Sequence, residues 1–169
     1  MSPFTLGVDD PRSEDVGALL ATHLAFSQGS TPAEYSFALD VEQLVDPAVT
    51  FFSARDGDRL VGMAALKRLD RYHGELKSMH TSQADRGRGV GRALVEHIVS
   101  FARQQGYRRV SLETGSTEEF ASARRLYASS GFEPCEAFGS YRPSPYNTFM
   151  TMRLDVTPGR GHAGGAPRA

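Results

Sequence analysis

The residues best suited to chemistry lie in one run, Arg86-Gly87-Arg88-Gly89-Val90-Gly91-Arg92, where arginines alternate with glycines. Glycine lets backbone amides approach a ligand closely. After Gly89 the apolar positions Val90, Leu94, Ile98 and Phe101 recur at helical spacing up to Gly106, so the first free amides of a helix open onto this run. Amides, helix dipole and the charges of Arg86, Arg88 and Arg92 together make a cradle for a pyrophosphate. A Walker loop would need Gly-Lys-Ser/Thr, which is absent. A Rossmann fingerprint follows the first strand, whereas this run comes late. The plain alternative is a glycine-rich turn with solvated arginines.

The elements that must position this loop follow from periodicity and breakers. Phe4 to Val8 reads as a strand, broken by Asp9-Asp10-Pro11, and the Ser13 hydroxyl is placed to cap a helix from Glu14. His23 lies beside that helix's apolar stripe and takes no role. Thr31 to Tyr35 reads as a loop, and Leu39 to Val45 as a short helix ended by Asp46-Pro47. Val49 to Ala54 and Leu60 to Leu66 are strands joined by a tight turn at Asp56-Gly57-Asp58. Glu75 to Ser82 adds a third strand of an antiparallel meander. His97 sits on the margin of the long helical stripe and reads as structural. Arg109 to Glu113 is a strand, Glu118 to Ser130 a helix ended by Gly131, and Phe132 to Phe138 and Thr148 to Leu154 the last two strands.

These elements predict one mixed α/β domain over residues 1–156, with a disordered Gly/Pro-rich tail over 157–169. Hydrophobic residues make up 40% of the chain of 169, which suffices for a core, and a net charge of -1 provides no global field for nucleic acid or a membrane surface. Cys135 is the single cysteine, which excludes an internal disulfide and a cysteine-clustered metal site. It reads as a packed thiol. No apolar run approaches the length that spans a bilayer, and a cytoplasmic protein is expected.

With the loop in place, the chain resembles the GCN5-related N-acetyltransferase (GNAT) superfamily over nearly its whole length. The family's Arg/Gln-x-x-Gly-x-Gly/Ala loop is matched by Arg86, Gly89 and Gly91. Its second motif, Ala-x-x-Leu-Tyr followed by Gly-Phe, is matched from Ala123 through Leu126 and Tyr127 to Gly131-Phe132. The segments His73 to Met79, Ser111 to Gly115 and Phe149-Met150-Thr151 resemble the bacterial YsnE-like branch. The resemblance implies a twisted, mostly antiparallel sheet with a central splay and helices on both faces, holding acetyl-coenzyme A as co-substrate without a metal. It also implies that Met79, His80 and Thr81 hold the pantetheine arm through backbone groups, and that Arg86, Gly87, Arg88, Gly89, Val90, Gly91 and Arg92 hold the pyrophosphate. Many relatives carry Asn three residues before the motif alanine, where this chain has Phe120.

The implied reaction is direct acetyl transfer to a small amine. Presenting a lysine-like amine of pKa about 10.4 as neutral at pH 7 costs about 4.6 kcal/mol, so a proton acceptor has real work. Strand alternation puts Glu75, Lys77, Met79 and Thr81 on one face, and Glu75 lies eleven residues before Arg86, the offset of a general-base glutamate in several relatives. Its alternative is an ion pair with Lys77 or an arginine. Glu113, ending the next strand, competes for the role. Tyr127 is expected to protonate the departing sulfur, against a packed aromatic. Lys67, Arg68, Arg71, His73 and Lys77 read as a solvated charged face, with attraction of an anionic acceptor such as an amino acid as the alternative. Two other functions stay open: a noncatalytic acyl-coenzyme A binding module, and an acetyltransferase for protein N-termini or lysines. A homodimer would pair edge strands or the last hairpin.

Overall fold

The computed structural model describes residues 3–154, so the tail expected over 157–169 lies outside the described residues. Period-two patterning becomes a seven-stranded sheet in the order β1-β2-β3-β4-β5-β7-β6. Its strands are β1 (Thr5–Val8), β2 (Val49–Asp56), β3 (Arg59–Asp70), β4 (His73–Thr81), β5 (Arg109–Gly115), β6 (Glu133–Pro134) and β7 (Asn147–Arg153). Every neighbouring pair is antiparallel except β4 and β5, which pair in parallel from His73–Arg109 to Leu76–Leu112. Beyond Leu76 no β4–β5 pair continues, and the sheet opens there.

Residues Val61 to Leu66 of β3 are buried on both faces because helices cover both sides. On one side α3 (Val90–Gln104) and α4 (Ala121–Ser129) pack Leu94, Ile98 and Tyr127 with Val61, Ala64 and Leu76. On the other, α1 (Glu14–Ser30) and α2 (Val41–Leu44) pack Val16, Leu20 and Leu44 with Phe51, Met63 and Ala65. The expected meander, central parallel opening and two-sided helix cover are all present. His97 stacks edge-on against Phe52 at 5.6 Å, in the structural place expected of it.

Four local readings need correction. Ser13 occupies the N-cap position of α1 but makes no side-chain cap bond; the Asp15 carboxylate accepts from the Val16 amide instead. The helix expected over Glu118 to Ser130 begins as a 3₁₀ turn, Glu118–Phe120, before α4. The strand expected over Phe132 to Phe138 shrinks to Glu133–Pro134: Pro134 has no amide to donate, and Phe138 leaves the edge to pack against Phe149 and Tyr141.

The fourth correction decides the site. Lys67, Ala65 and Met63 on β3 pair with Glu75, Lys77 and His80 on β4, so two β4 residues, Ser78 and Met79, oppose the single Ala64. This is a β-bulge, and Ser78 sits at φ 57° to make it. Glu75, Lys77 and His80 therefore share the α1 face, while Leu76 and Met79 join the core under α3. The uniform alternation Glu75, Lys77, Met79, Thr81 is broken.

A positive φ strains a residue that carries a Cβ. Ser78→Gly is expected to hold or raise the thermal midpoint, whereas Ser78→Val lowers stability by roughly 1–3 kcal/mol. Thermal denaturation of both variants checks this, and equal midpoints would mean that the bulge carries no strain.

Candidate active site

The loop between β4 and α3 is tied down by one buried carboxylate. Asp85, 1% exposed, accepts from Arg59 of β3 at 2.6 and 2.8 Å and from Arg88 at 2.6 Å. The Arg59 hydrogen bond chiefly, then Arg88, lowers its pKa to about 2. Gly87 and Gly89 take φ of 79° and 84°, and Gly89 forms the N-cap of α3 with its carbonyl accepting from Ala93. A Cβ on Gly91 would lie 2.8 Å from Leu126, so its lack of a side chain lets α3 approach α4.

The result is a groove of about 430 Å³ along the start of α3. Met79, His80, Thr81, Arg86, Gly87, Gly89, Val90, Gly91 and Arg92 line it, facing Ser122, Ala123 and Leu126 of α4. The first turn of α3 contains no acidic side chain. Arg88 is the expected binding residue that does not line the groove. Its guanidinium is held by Asp85 and by Asp56 at 2.9 Å, over the Phe4 ring.

Where β4 and β5 part, a second cavity of about 120 Å³ opens between them under α1. Glu113 and Tyr127 line it with His23, Phe26, Tyr35 and Phe120. Glu113 accepts from Asn147 at 2.7 Å, and burial chiefly, with Glu75 nearby, raises its pKa above the usual carboxylate range. Tyr127 is 6% exposed, with a hydroxyl held protonated by burial and by Glu113. The Ser78 hydroxyl at the bulge is buried without a hydrogen-bond partner among the described residues and also borders this cavity.

Chain comparisons agree with this architecture. Residues 18–132 match the family model described as Acetyltransferase (GNAT) family. The chain belongs to the GNAT family of acetyltransferases. It is 44% identical to the uncharacterised N-acetyltransferase YsnE of Bacillus subtilis, over 87% of this chain and 97% of that one. A Klebsiella pneumoniae structure described as an acyl-CoA N-acyltransferase superposes with TM-score 0.74 at 25% identity, covering 91% and 99% of the two chains. A GNAT structure from Elizabethkingia anophelis with acetyl-CoA bound gives TM-score 0.69 at 15% identity, covering 91% and 100%.

Within this GNAT fold the two carboxylate candidates face different spaces. Glu75, 3% exposed, borders a third cavity of about 330 Å³, on the far side of Lys77 from the splay. Its Oε2 accepts from Tyr141 at 2.5 Å and from Lys77 at 3.2 Å, and Lys77 also donates to Tyr141 at 2.7 Å. Lys77 borders both spaces. Tyr141 gave no signal in the sequence, since it arrives from the irregular segment between β6 and β7.

One side-chain contact was not foreseen, since His23 was given no role and His80 a backbone role alone. His23 of α1 and His80 of β4 meet with their Nδ1 atoms 3.1 Å apart. Burial first, then His80, lowers the pKa of His23 to about 4, and burial first, then Arg86, does the same for His80. The remaining basic residues disperse: Arg68 donates to Tyr107, Arg71 lies over Tyr72, and His73 contacts Ser111. Phe120, the departure from the motif noted above, meets Phe26 edge-on at 5.2 Å, and both rings wall the cavity. Cys135 is half-buried, and burial raises its thiol pKa.

Asp85→Asn is expected to loosen the loop and weaken acetyl-CoA binding roughly tenfold, the scale of losing charge-assisted hydrogen bonds. Because its folded pKa is depressed, the anchoring is present above the ordinary value of 3.8 and is lost only as pH falls through about 2. Titration calorimetry of wild type between pH 4 and 8 checks the second point: an acid limb that the Asp85→Asn variant abolishes would contradict it.

Proposed function

We propose that this GNAT chain transfers the acetyl group of acetyl-coenzyme A to the amine of a small acceptor, within a ternary complex. The observation that carries the reading is the meeting of two spaces at the β4 bulge: an α3-headed groove with Arg86 and Arg92, and a splay cavity containing Glu113 and Tyr127. The groove suits a pyrophosphate, because glycines and free helix amides face it and no acidic side chain occupies the first turn of α3. The acetyl-CoA found in the Elizabethkingia structure supports the same donor. The small volume and aromatic walls of the splay cavity favour a metabolite over a protein segment.

In this reading the amine enters the splay cavity and loses a proton to a carboxylate. Glu113 takes it directly, since it borders the cavity and its raised pKa makes it a stronger base than an ordinary carboxylate. Glu75 acts from the far side of Lys77, through water or by holding Lys77 and Tyr141 in place. Backbone amides at the bulge stabilise negative charge on the acyl oxygen. Tyr127 donates a hydrogen bond to the departing sulfur.

An amine panel with acetyl-CoA and free-thiol detection tests the reading, and acetyl-CoA bound without thiol release from any amine would favour a noncatalytic binding module. Glu113→Gln is expected to lower kcat by about 10²–10⁴-fold, with a loss that eases as pH rises and more amine is neutral. If only Glu75→Gln shows that easing, Glu75 is the base. Tyr127→Phe is expected to leave acetyl-CoA affinity unchanged and lower kcat about ten- to a hundredfold, the low end of acid-base contributions. An unchanged kcat would return Tyr127 to a packing role.

A further inference from the structure

The splay cavity, at about 120 Å³, is small beside the roughly 300–1,000 Å³ of ordinary ligand pockets, so the body of an acceptor must extend beyond it. Ser36, Phe37, Ala38 and Lys77 border both this cavity and the third one of about 330 Å³, so the two spaces adjoin. Phe37, Leu39, Leu69 and Phe138 give the third cavity apolar walls. Its charges do not cancel, because Lys67 and Lys77 border it against the single carboxylate of Glu75.

Lys67 stands directly across the strands from Glu75, where opposite charges ordinarily pair. Glu75 is committed elsewhere: its Oε2 accepts from Lys77 and from Tyr141. Half-buried Lys67 therefore has no hydrogen bond or ion pair to another of the described residues. One positive charge at the edge of an apolar cavity is left uncompensated. Gln43 borders the same cavity, and its side-chain carbonyl accepts from the Asp40 amide, which leaves its NH2 group to donate. An ammonium and an amide donor suit one carboxylate. A phosphate dianion would bring a second negative charge toward Glu75.

Glu113 lies two strands from Lys67, since Lys67 opposes Glu75, and Glu75 opposes Ser111, two residues before Glu113. At about 4.8 Å per strand and about 3.3 Å per residue, the Cα atoms of Lys67 and Glu113 are roughly 12 Å apart. Side chains stand nearly perpendicular to a sheet, so with hydrogen bonds of about 2.9 Å at both ends a ligand must span roughly 6 Å from nitrogen to carboxylate oxygen. An α-amino acid spans about 3 Å and falls short. About three extended carbons between the groups cover the distance at roughly 1.2 Å per bond, and about two more allow a path around Lys77.

We propose that the acceptor is an amine carrying a carboxylate about three to five carbons away, held by Lys67 in the third cavity while the amine meets Glu113 in the splay cavity. This rests on the acetyl-transfer reading above and names its substrate class. The spacer lies between Lys77 and Phe37, against the apolar walls. The joint of Glu75, Lys77 and Tyr141 then lies beneath the spacer, already neutral and hydrogen-bonded, and selects for neither end.

Initial rates of thiol release by the full chain test the class with two pairs of amines: 6-aminohexanoate against 6-aminohexanamide, and 4-aminobutanoate against 4-aminobutanamide. Each pair shares a spacer and differs by one charge. In wild type kcat/KM is expected to be about tenfold higher for the acids, chiefly through KM, the scale of one hydrogen bond to a charged group. Lys67→Met should bring both ratios to about one, and glycine should react more slowly than either acid. Acid and amide reacting equally in wild type would overturn the proposal without any variant, while leaving acetyl transfer standing. A preference for the acids that survives Lys67→Met would overturn Lys67 as the anchor, and glycine as the best substrate would overturn the spacer. Absence of thiol release with every amine would overturn the acetyl-transfer reading and this one together.

Discussion

Beyond Leu76 and Leu112 the two parallel strands at the centre of the sheet stop sharing hydrogen bonds, while each keeps its outer partner: β4 stays on β3, and β5 on β7. Each therefore turns one unpaired backbone edge toward the gap. Buried amides and carbonyls left without partners are costly, so such a gap persists only where something else meets those groups. In the proposed reaction an extended ligand arm laid along β4 would do so, as an added strand does. The groove, the splay cavity and the helix start that heads them are arranged around this interruption, and the two-sided core under α3 and α1 holds it open.

Charge in the site follows from the same economy of burial. Asp85 and Asp56 together neutralise Arg59 and Arg88, and Glu75 neutralises Lys77 with Tyr141 completing its hydrogen bonds. A buried ion contributes little net stability once desolvation is counted, but removing one partner leaves an uncompensated charge. Both clusters therefore act as fixed joints. One sets the loop before α3, and the other sets the wall between the splay and its neighbouring cavity. Besides these joints, Glu113 faces the splay cavity, and Arg86 and Arg92 face the groove with Glu119 on its α4 side; in the proposed reaction Glu113 would meet the ammonium and the two arginines the pyrophosphate.

The loop from Arg86 to Arg92 was legible because its signals are local: glycines at turn positions, then a helical stripe that must begin there. The order of strands was legible for a similar reason, since Gly57, Gly74 and Gly106 punctuate clear periodic runs. Tertiary placement was harder to read. Nothing in the spacing of Arg88 distinguishes it from Arg86, yet Asp56, thirty-two residues away, turns its guanidinium out of the groove. Tyr141 reaches Glu75 from a segment with no period at all. Glu113 could be named as a candidate from its strand end, but its rank against Glu75 depends on which side of Lys77 each lies, a matter of packing.

The histidine pair depended most on a feature that periodicity hides. Side chains alternate along a strand, and a count from Glu75 in steps of two reaches Met79 and Thr81, which leaves His80 facing α3. One extra residue at Ser78 reverses the phase. His80 then faces α1, where His23 waits one helix away, and Met79 turns into the core. The reversal needs a residue at φ 57°, a conformation that costs free energy in any residue but glycine, and that residue is a serine whose hydroxyl has no partner among the described residues. Backbone strain and an unpaired buried hydroxyl at one position weaken the fold. They also bring Ser78, His80 and the free edge of β4 to the point where the two spaces meet, and nothing in the core packing alone requires that arrangement.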